Sequence, residues 1–191
     1  MKKIKKFKIN LRSREIIRLL KKTTKIQEIN SEIEEKVETE SKRYQKFITP
    51  AAIYETIPKE KFPKEVLVSQ PENWVAATAY FVTVGEKIEN ELKDIRDRKD
   101  MAGESIAHSI ALEGVEQSLN FIERLIREEA LSEDCEISKS NNVDSKKLFP
   151  KMFEIVSGEK VGINISEKGV LNPIYSSCGI IYRTPIKKGK R

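Results

Sequence analysis

The sequence predicts an α+β protein, a single domain in which a mixed or antiparallel sheet is packed with long helices. Three observations carry this. From Ala102 to about Ala130, apolar residues recur at helical spacing without a break. Trp74 to Thr83 is a near-continuous apolar run rich in Val, Thr, Tyr and Phe, which suits a central strand covered on both faces. Strand and helix signals do not alternate regularly, which argues against repeated βαβ units.

Taken in order, Lys6–Asn10 alternates and reads as a short edge strand. Asn10 is placed to cap a helix starting near Leu11, with Ile16, Ile17, Leu19 and Leu20 as its apolar side and Thr23-Thr24 interrupting it. A second helix spans about Ile26 to Phe47. Its stripe is Ile29, Ile33, Val37, Tyr44, Phe47 and Ile48, and it stops at Thr49-Pro50 because the residue before proline resists helix. Ala51–Ile57 reads as a strand, Pro58 and Pro63 bracket a loop, and Val66–Ser69 is a short strand or a surface loop. Gly85 releases the chain into a helix with Ile88, Leu92 and Ile95 inward.

The long helix interleaves Gly103, Ala107, Ala111, Gly114 and Ser118 with its apolar residues. Gly114 in mid-helix costs about 1 kcal/mol against Ala, and close packing on a sheet is the expected compensation. Residues 132–146 are polar and loop-like, and a short helix over 146–157 carries Leu148, Phe149, Met152, Phe153 and Val156. Short strands follow near Gly162–Ser166 and Gly179–Tyr182. Between them, Ser176-Ser177-Cys178-Gly179 reads as a small-residue turn. The simplest role is an ordinary connection; the functional one is a place where backbone N–H groups and hydroxyls approach a ligand.

Composition narrows the classes. Charged residues make up 35% of the 191 and hydrophobic ones 38%. The net charge of +6 hides an uneven distribution: +10 over residues 1–26, +5 over 183–191 and −9 between. The ends read as solvated basic surface, and no interleaved aromatic platform supports a nucleic-acid partner. The expected organisation is a basic segment 1–26 packing on the domain, the domain itself over 27–185, and a basic tail 186–191. Cys135 and Cys178 form neither a disulfide framework nor a zinc site by spacing. The cytoplasm is the default compartment, and no apolar run reaches membrane-spanning length. The lone His108 reads as an ordinary helix histidine. There is no GxGxxG, no P-loop and no readable nucleophile–base pair.

The C-terminal block resembles the end of the reactivation domain of cobalamin-dependent methionine synthase. Leu148-Phe149 stands for that family's Leu-Phe helix. Ile165-Ser166-Glu167 stands for its Leu-Thr-Glu, Leu171 for Met, Pro173 for Pro, and Ser176-Ser177-Cys178-Gly179 for Ser-Val-Ser-Gly. Upstream, Arg18-Leu19-Leu20, Pro50–Glu55 and Val82–Glu89 fall in the order of motifs in stand-alone relatives. The resemblance implies a methionine synthase activation-domain-like fold that binds S-adenosylmethionine. It further implies docking on a corrinoid-binding methyltransferase subunit, with a reductase as electron donor. There the sulfonium methyl would trap Co(I) cobalamin, carried by the partner, as methylcob(III)alamin.

The resemblance assigns Glu116 to the methionine ammonium and Ser138, Lys139 and Asn141 to the methionine or ribose. It gives Glu167, Ser176, Ser177 and Gly179 to the adenosine or corrinoid side. The chain departs from the family where an Arg-led Pro-Gly-Tyr loop is replaced by Glu136–Asn141, so an acid stands where an arginine clamps a carboxylate. Two readings follow: a reactivation-type accessory protein, or a corrinoid-protein-binding module without S-adenosylmethionine.

Overall fold

The computed structural model describes residues 1–24 and 28–186. Ile26 itself and the tail beyond Ile186 fall outside them, and the second helix, expected from about Ile26, begins at Ser31 behind its Asn30 cap. The sheet is antiparallel at every pairing. Strands β1 (Lys2–Lys5), β2 (Ala51–Pro58), β3 (Ala76–Thr83), β8 (Ser176–Pro185) and β4 (Cys135–Ile137) lie side by side in the order β1-β2-β3-β8-β4. Strand β5 (Asn141–Asn142) also pairs with β8. A two-stranded hairpin, β6 (Asn164–Ile165) and β7 (Leu171–Asn172), stands apart. The helices are α1 (Ser13–Thr23), α2 (Ser31–Tyr44), α3 (Lys87–Asp97), α4 (Met101–Ser132) and α5 (Phe149–Ile155).

Strand β3 is central, as its apolar run predicts, and every residue from Ala77 to Thr83 is buried. One face, carrying Ile53, Ala79, Phe81, Cys178 and Ile180, packs against Phe149, Met152 and the 62–74 loop. The other, carrying Ala52, Tyr54, Tyr80, Val82 and Ile181, packs on Ile122 and Ile126 of α4. All five small residues of α4 named above are buried. A Cβ on Gly114 would stand 3.0 Å from Val84 and 3.2 Å from Ile48, so close packing is the reason for this glycine. The α2 stripe joins the α3–α4 core as expected, and Asn30 caps the helix by accepting from the Ile33 N–H at 2.9 Å.

Other expectations change. The N-terminal strand is Lys2–Lys5 rather than Lys6–Asn10. Lys6 takes a positive φ, and Phe7 leaves the sheet plane to stack on Phe121 with ring centroids 4.3 Å apart. The first helix is preceded by Arg12, not capped by Asn10. Of the two alternatives for Val66–Ser69 the loop holds, with Val66 closing a 3-10 turn over Lys64–Val66. The 132–146 stretch is not all loop, because β4 and β5 within it find partners on β8 that only the tertiary fold supplies. Arg183, counted with the basic end, is 1% exposed and bonded to Glu133 and Thr56 at 2.7 and 2.9 Å.

The last correction concerns Ser176–Gly179. It is no turn: these residues open β8 and pair with Thr83, Val82, Phe81 and Tyr80 of β3. Gly179 sits opposite Tyr80, and β5 runs along its other side. A Cβ there would lie 2.5 Å from both the Asn141 carbonyl oxygen and the Tyr80 hydroxyl. The glycine is what lets the Tyr80 ring cross over β8. Gly179→Ala is therefore expected to destabilise by about 1–3 kcal/mol, the usual cost of overpacking. A denaturant midpoint unchanged from wild type would show that the crossing is not tight.

Candidate functional site

Positions 108, 112, 116, 119 and 123 share one flank of α4 by helical spacing. The flank faces Tyr175 and the start of β8, whose alternation turns Ser177 and Gly179 toward the helix. Contacts close this seam at both ends. At one, the His108 Nδ1 and Tyr175 hydroxyl lie 2.6 Å apart. Burial pushes the Tyr175 hydroxyl up to about 12 and His108 below its ordinary value, so the pair is neutral at pH 7. At the other end, burial raises the Glu123 carboxyl, against the Arg127 charge and the Ser140 backbone N–H. Between them Leu112, Glu116 and Leu119 are partly exposed.

The far wall of the seam is built by Tyr80. Its buried hydroxyl meets the Ser140 hydroxyl and donates to the Asn142 side chain at 3.0 Å. Ser140 precedes β5 and Asn142 lies in it, so one phenol ties the central strand to the segment beyond β8. Ser138 works the same way from outside the ladder: its N–H donates to the Tyr182 carbonyl and its hydroxyl accepts the Tyr182 N–H, at 2.9 and 3.0 Å.

Two carboxylates one turn apart on α4 differ sharply. Glu116 is open, with a side chain 42% exposed. Both its oxygens accept from Arg18 Nη2, at 3.0 and 3.2 Å, and Arg18 Nε donates to Glu15 at 2.6 Å. Glu113 is fully buried. Its Oε1 accepts from Arg12 Nε and Gln117 Nε2, at 3.0 and 2.9 Å, and its Oε2 has no partner. Burial raises the Glu113 carboxyl and the Arg12 hydrogen bond only partly opposes it.

The fold is like that of the MetH reactivation domain. A crystal structure of that domain bound to AdoHcy superimposes with a TM-score of 0.65, over 98% of this chain and 79% of that one, at 10% identity. No protein-family model and no curated protein matches the sequence. At such identity the likeness to the MetH domain is one of fold, and the site is read from this chain's own residues.

Within this MetH-like frame, Ser177 and Gly179 turn toward α4, Ser140 of the 138–141 loop joins them through the Tyr80 hydroxyl, and Glu116 lies on the α4 flank bonded to Arg18 of α1. Asn141 contributes its backbone to β8, and its side-chain amide donates to the Lys139 carbonyl at 3.3 Å; Lys139 itself is exposed. Ser176 points to the opposite face, bonded to Thr83 at 2.9 Å. With Cys178, Lys146, Leu171 and the exposed Ile174, it borders a groove of about 370 Å³. Glu167 lies at the exposed tip of the β6–β7 hairpin, away from the seam. Glu136 sits opposite Thr184. The two cysteines are buried and free, and Cys135 pairs with Pro185 at the far end of β8 from Cys178. Among the described residues no cluster of three His, Cys, Asp or Glu could hold a metal, and no helix is long and apolar enough to cross a membrane.

Sequence reasoning missed Tyr80, Tyr175, Glu123 and the Arg18–Glu116 pair. Tyr80 was hidden in an apolar run, where its hydroxyl gave no periodic signal. The pair spans 98 positions and only the α1–α4 contact creates it. Glu113 yields a prediction. Its folded value lies above the ordinary carboxylate value of 4.5. The folded state therefore holds the extra proton, and stability falls as pH rises from 4.5 through the raised value. Glu113→Gln lacks this loss. Its stability relative to wild type should grow from pH 5 to pH 8 by about 1 kcal/mol, in line with the cost of an unpartnered buried acceptor. A pH-independent difference in thermal midpoint would refute this.

Proposed function

We propose that this chain is a reactivation-type accessory module that binds S-adenosylmethionine in the seam between α4 and β8. There it presents the sulfonium methyl to a reduced corrinoid carried by a partner methyltransferase. The observation that carries this reading is the seam itself. An open carboxylate, Glu116, shares one flank of α4 with partly exposed Leu112 and Leu119, and the strand opposite that helix, β8, carries Ser177. The fold is one that, in MetH, was solved with AdoHcy bound.

The chemistry asked of the chain is modest. The sulfonium is an activated methyl donor and the corrinoid is the nucleophile, so the protein contributes orientation and electrostatics. Glu116 offers an anion to the ligand's ammonium. The Ser177 and Ser140 hydroxyls offer hydrogen bonds to a ribose. The groove bordered by Ser176, Cys178 and Ile174 lies on the other side of β8, and its exposed isoleucine suits contact with a partner. A reductase would supply the electron that makes the corrinoid reactive.

A corrinoid-protein-binding module that does not take S-adenosylmethionine is the second reading. One observation favours it: the Glu116 carboxylate is already engaged by Arg18. Titration calorimetry separates the two. The first expects saturable heat with S-adenosylmethionine at micromolar to millimolar concentration, weakened at least about tenfold by Glu116→Gln, a loss of some 1.4 kcal/mol. Absence of heat at millimolar ligand, with a corrinoid protein still retained on the immobilised chain, would leave the second.

A further inference from the structure

We infer that Arg18 is the carboxylate clamp of this site. The α-carboxylate of an amino-acid ligand displaces Glu116 from Arg18, and the freed Glu116 takes the ligand's α-ammonium. This rests on the S-adenosylmethionine-binding reading above and gives it a specific mechanism.

The starting arrangement is two acids on one base. Arg18 Nε donates to Glu15 at 2.6 Å, and Nη2 reaches both oxygens of Glu116, at 3.0 and 3.2 Å. Glu15 sits three residues before Arg18 on the same helix, so it holds the guanidinium in place whether or not Glu116 stays. The terminal edge of the guanidinium carries two N–H-bearing nitrogens in the plane that a carboxylate accepts bidentately. A zwitterion entering here turns one exposed ion pair into two. Its carboxylate replaces that of Glu116 on Arg18, and Glu116 regains a cation.

Exposure makes the exchange inexpensive. The Arg18 and Glu116 side chains are 49% and 42% exposed, so water reaches both and the pair between them contributes little. The neighbouring Arg12–Glu113 pair cannot do the same, because the Glu113 side chain is fully buried and its release would strand a charge. The acid at 136 does not oppose the clamp. It stands opposite Thr184, five residues along β8 from Gly179 and roughly 17 Å away at strand rise.

The ligand's chemistry supplies a test that a merely structural arginine would fail. Full-length wild type, Arg18→Ala and Arg18→Lys are titrated with S-adenosylmethionine and with its decarboxylated analogue, which keeps the sulfonium and the amine. Arg18→Ala should weaken S-adenosylmethionine about tenfold or more while changing the analogue less than about twofold. Arg18→Lys should fall between, since it keeps the charge and loses the fork. Thermal midpoints confirm folding, and the lysine variant carries the test if the alanine variant does not fold. Equal losses for both ligands, or none for S-adenosylmethionine, overturn the clamp and leave the proposed function standing. No heat from wild type with S-adenosylmethionine overturns both.

Discussion

The structure turns on a tyrosine hydroxyl that has to be satisfied inside the protein. Tyr80 lies in the middle of the central strand with no exposure. A phenol so buried must bond or cost stability. The nearest partners, Ser140 and Asn142, are on the far side of β8, and the ring reaches them only because residue 179 has no side chain. That single passage fixes three things: the register of β3 against β8, the position of β5, and the wall of the seam. The 138–142 segment, polar and short of apolar anchors, owes its place to this bond and to the Ser138–Tyr182 exchange.

The helical layer depends on a different constraint, close approach. Helix α4 meets the sheet through Ile122 and Ile126, while Ala107 and Ala111 join the core shared with α1, α2 and α3, and a Cβ on Gly114 would enter the space held by Val84 and Ile48. Helix α1 then lies on α4 through Ile16 and Leu20, with Arg12 and Arg18 on two α4 carboxylates. The basic N-terminal segment is thus part of the fold rather than a free tail. Its strand lysines sit on the sheet edge, where charge blunts strand pairing with other chains.

Much of this was legible in the sequence, and the misses share a cause. The long helix, the central strand and the α2 stripe were readable because each states its burial through a repeating pattern. Strands β4 and β5 were not, because two or three residues are too few to show a period and their partners on β8 lie between 37 and 50 positions away. Ser176–Gly179 was misread for the opposite reason. Small residues look like a turn, but here they mark a strand crossed by a large ring. The resemblance drew attention to this stretch, while its place in a strand came only with the register.

The two carboxylates of α4 show how burial divides structure from function. Glu113 faces Arg12, just before α1, and Glu116 faces Arg18 within it. Three residues of helix rotate one into the core and the other to the rim. In the core, a carboxylate with a bare oxygen is a standing cost, and its arginine partner makes it a fixture, since separation would leave the charge unpaired where water cannot reach. At the rim, the same chemistry is reversible, because water stabilises each partner of the pair when it is released. An exchangeable site needs the second condition, with enough local order to aim the donors. Glu15 supplies that order to Arg18 without closing its far edge. The inner pair therefore holds the helices together, and the outer pair is left free to change partners.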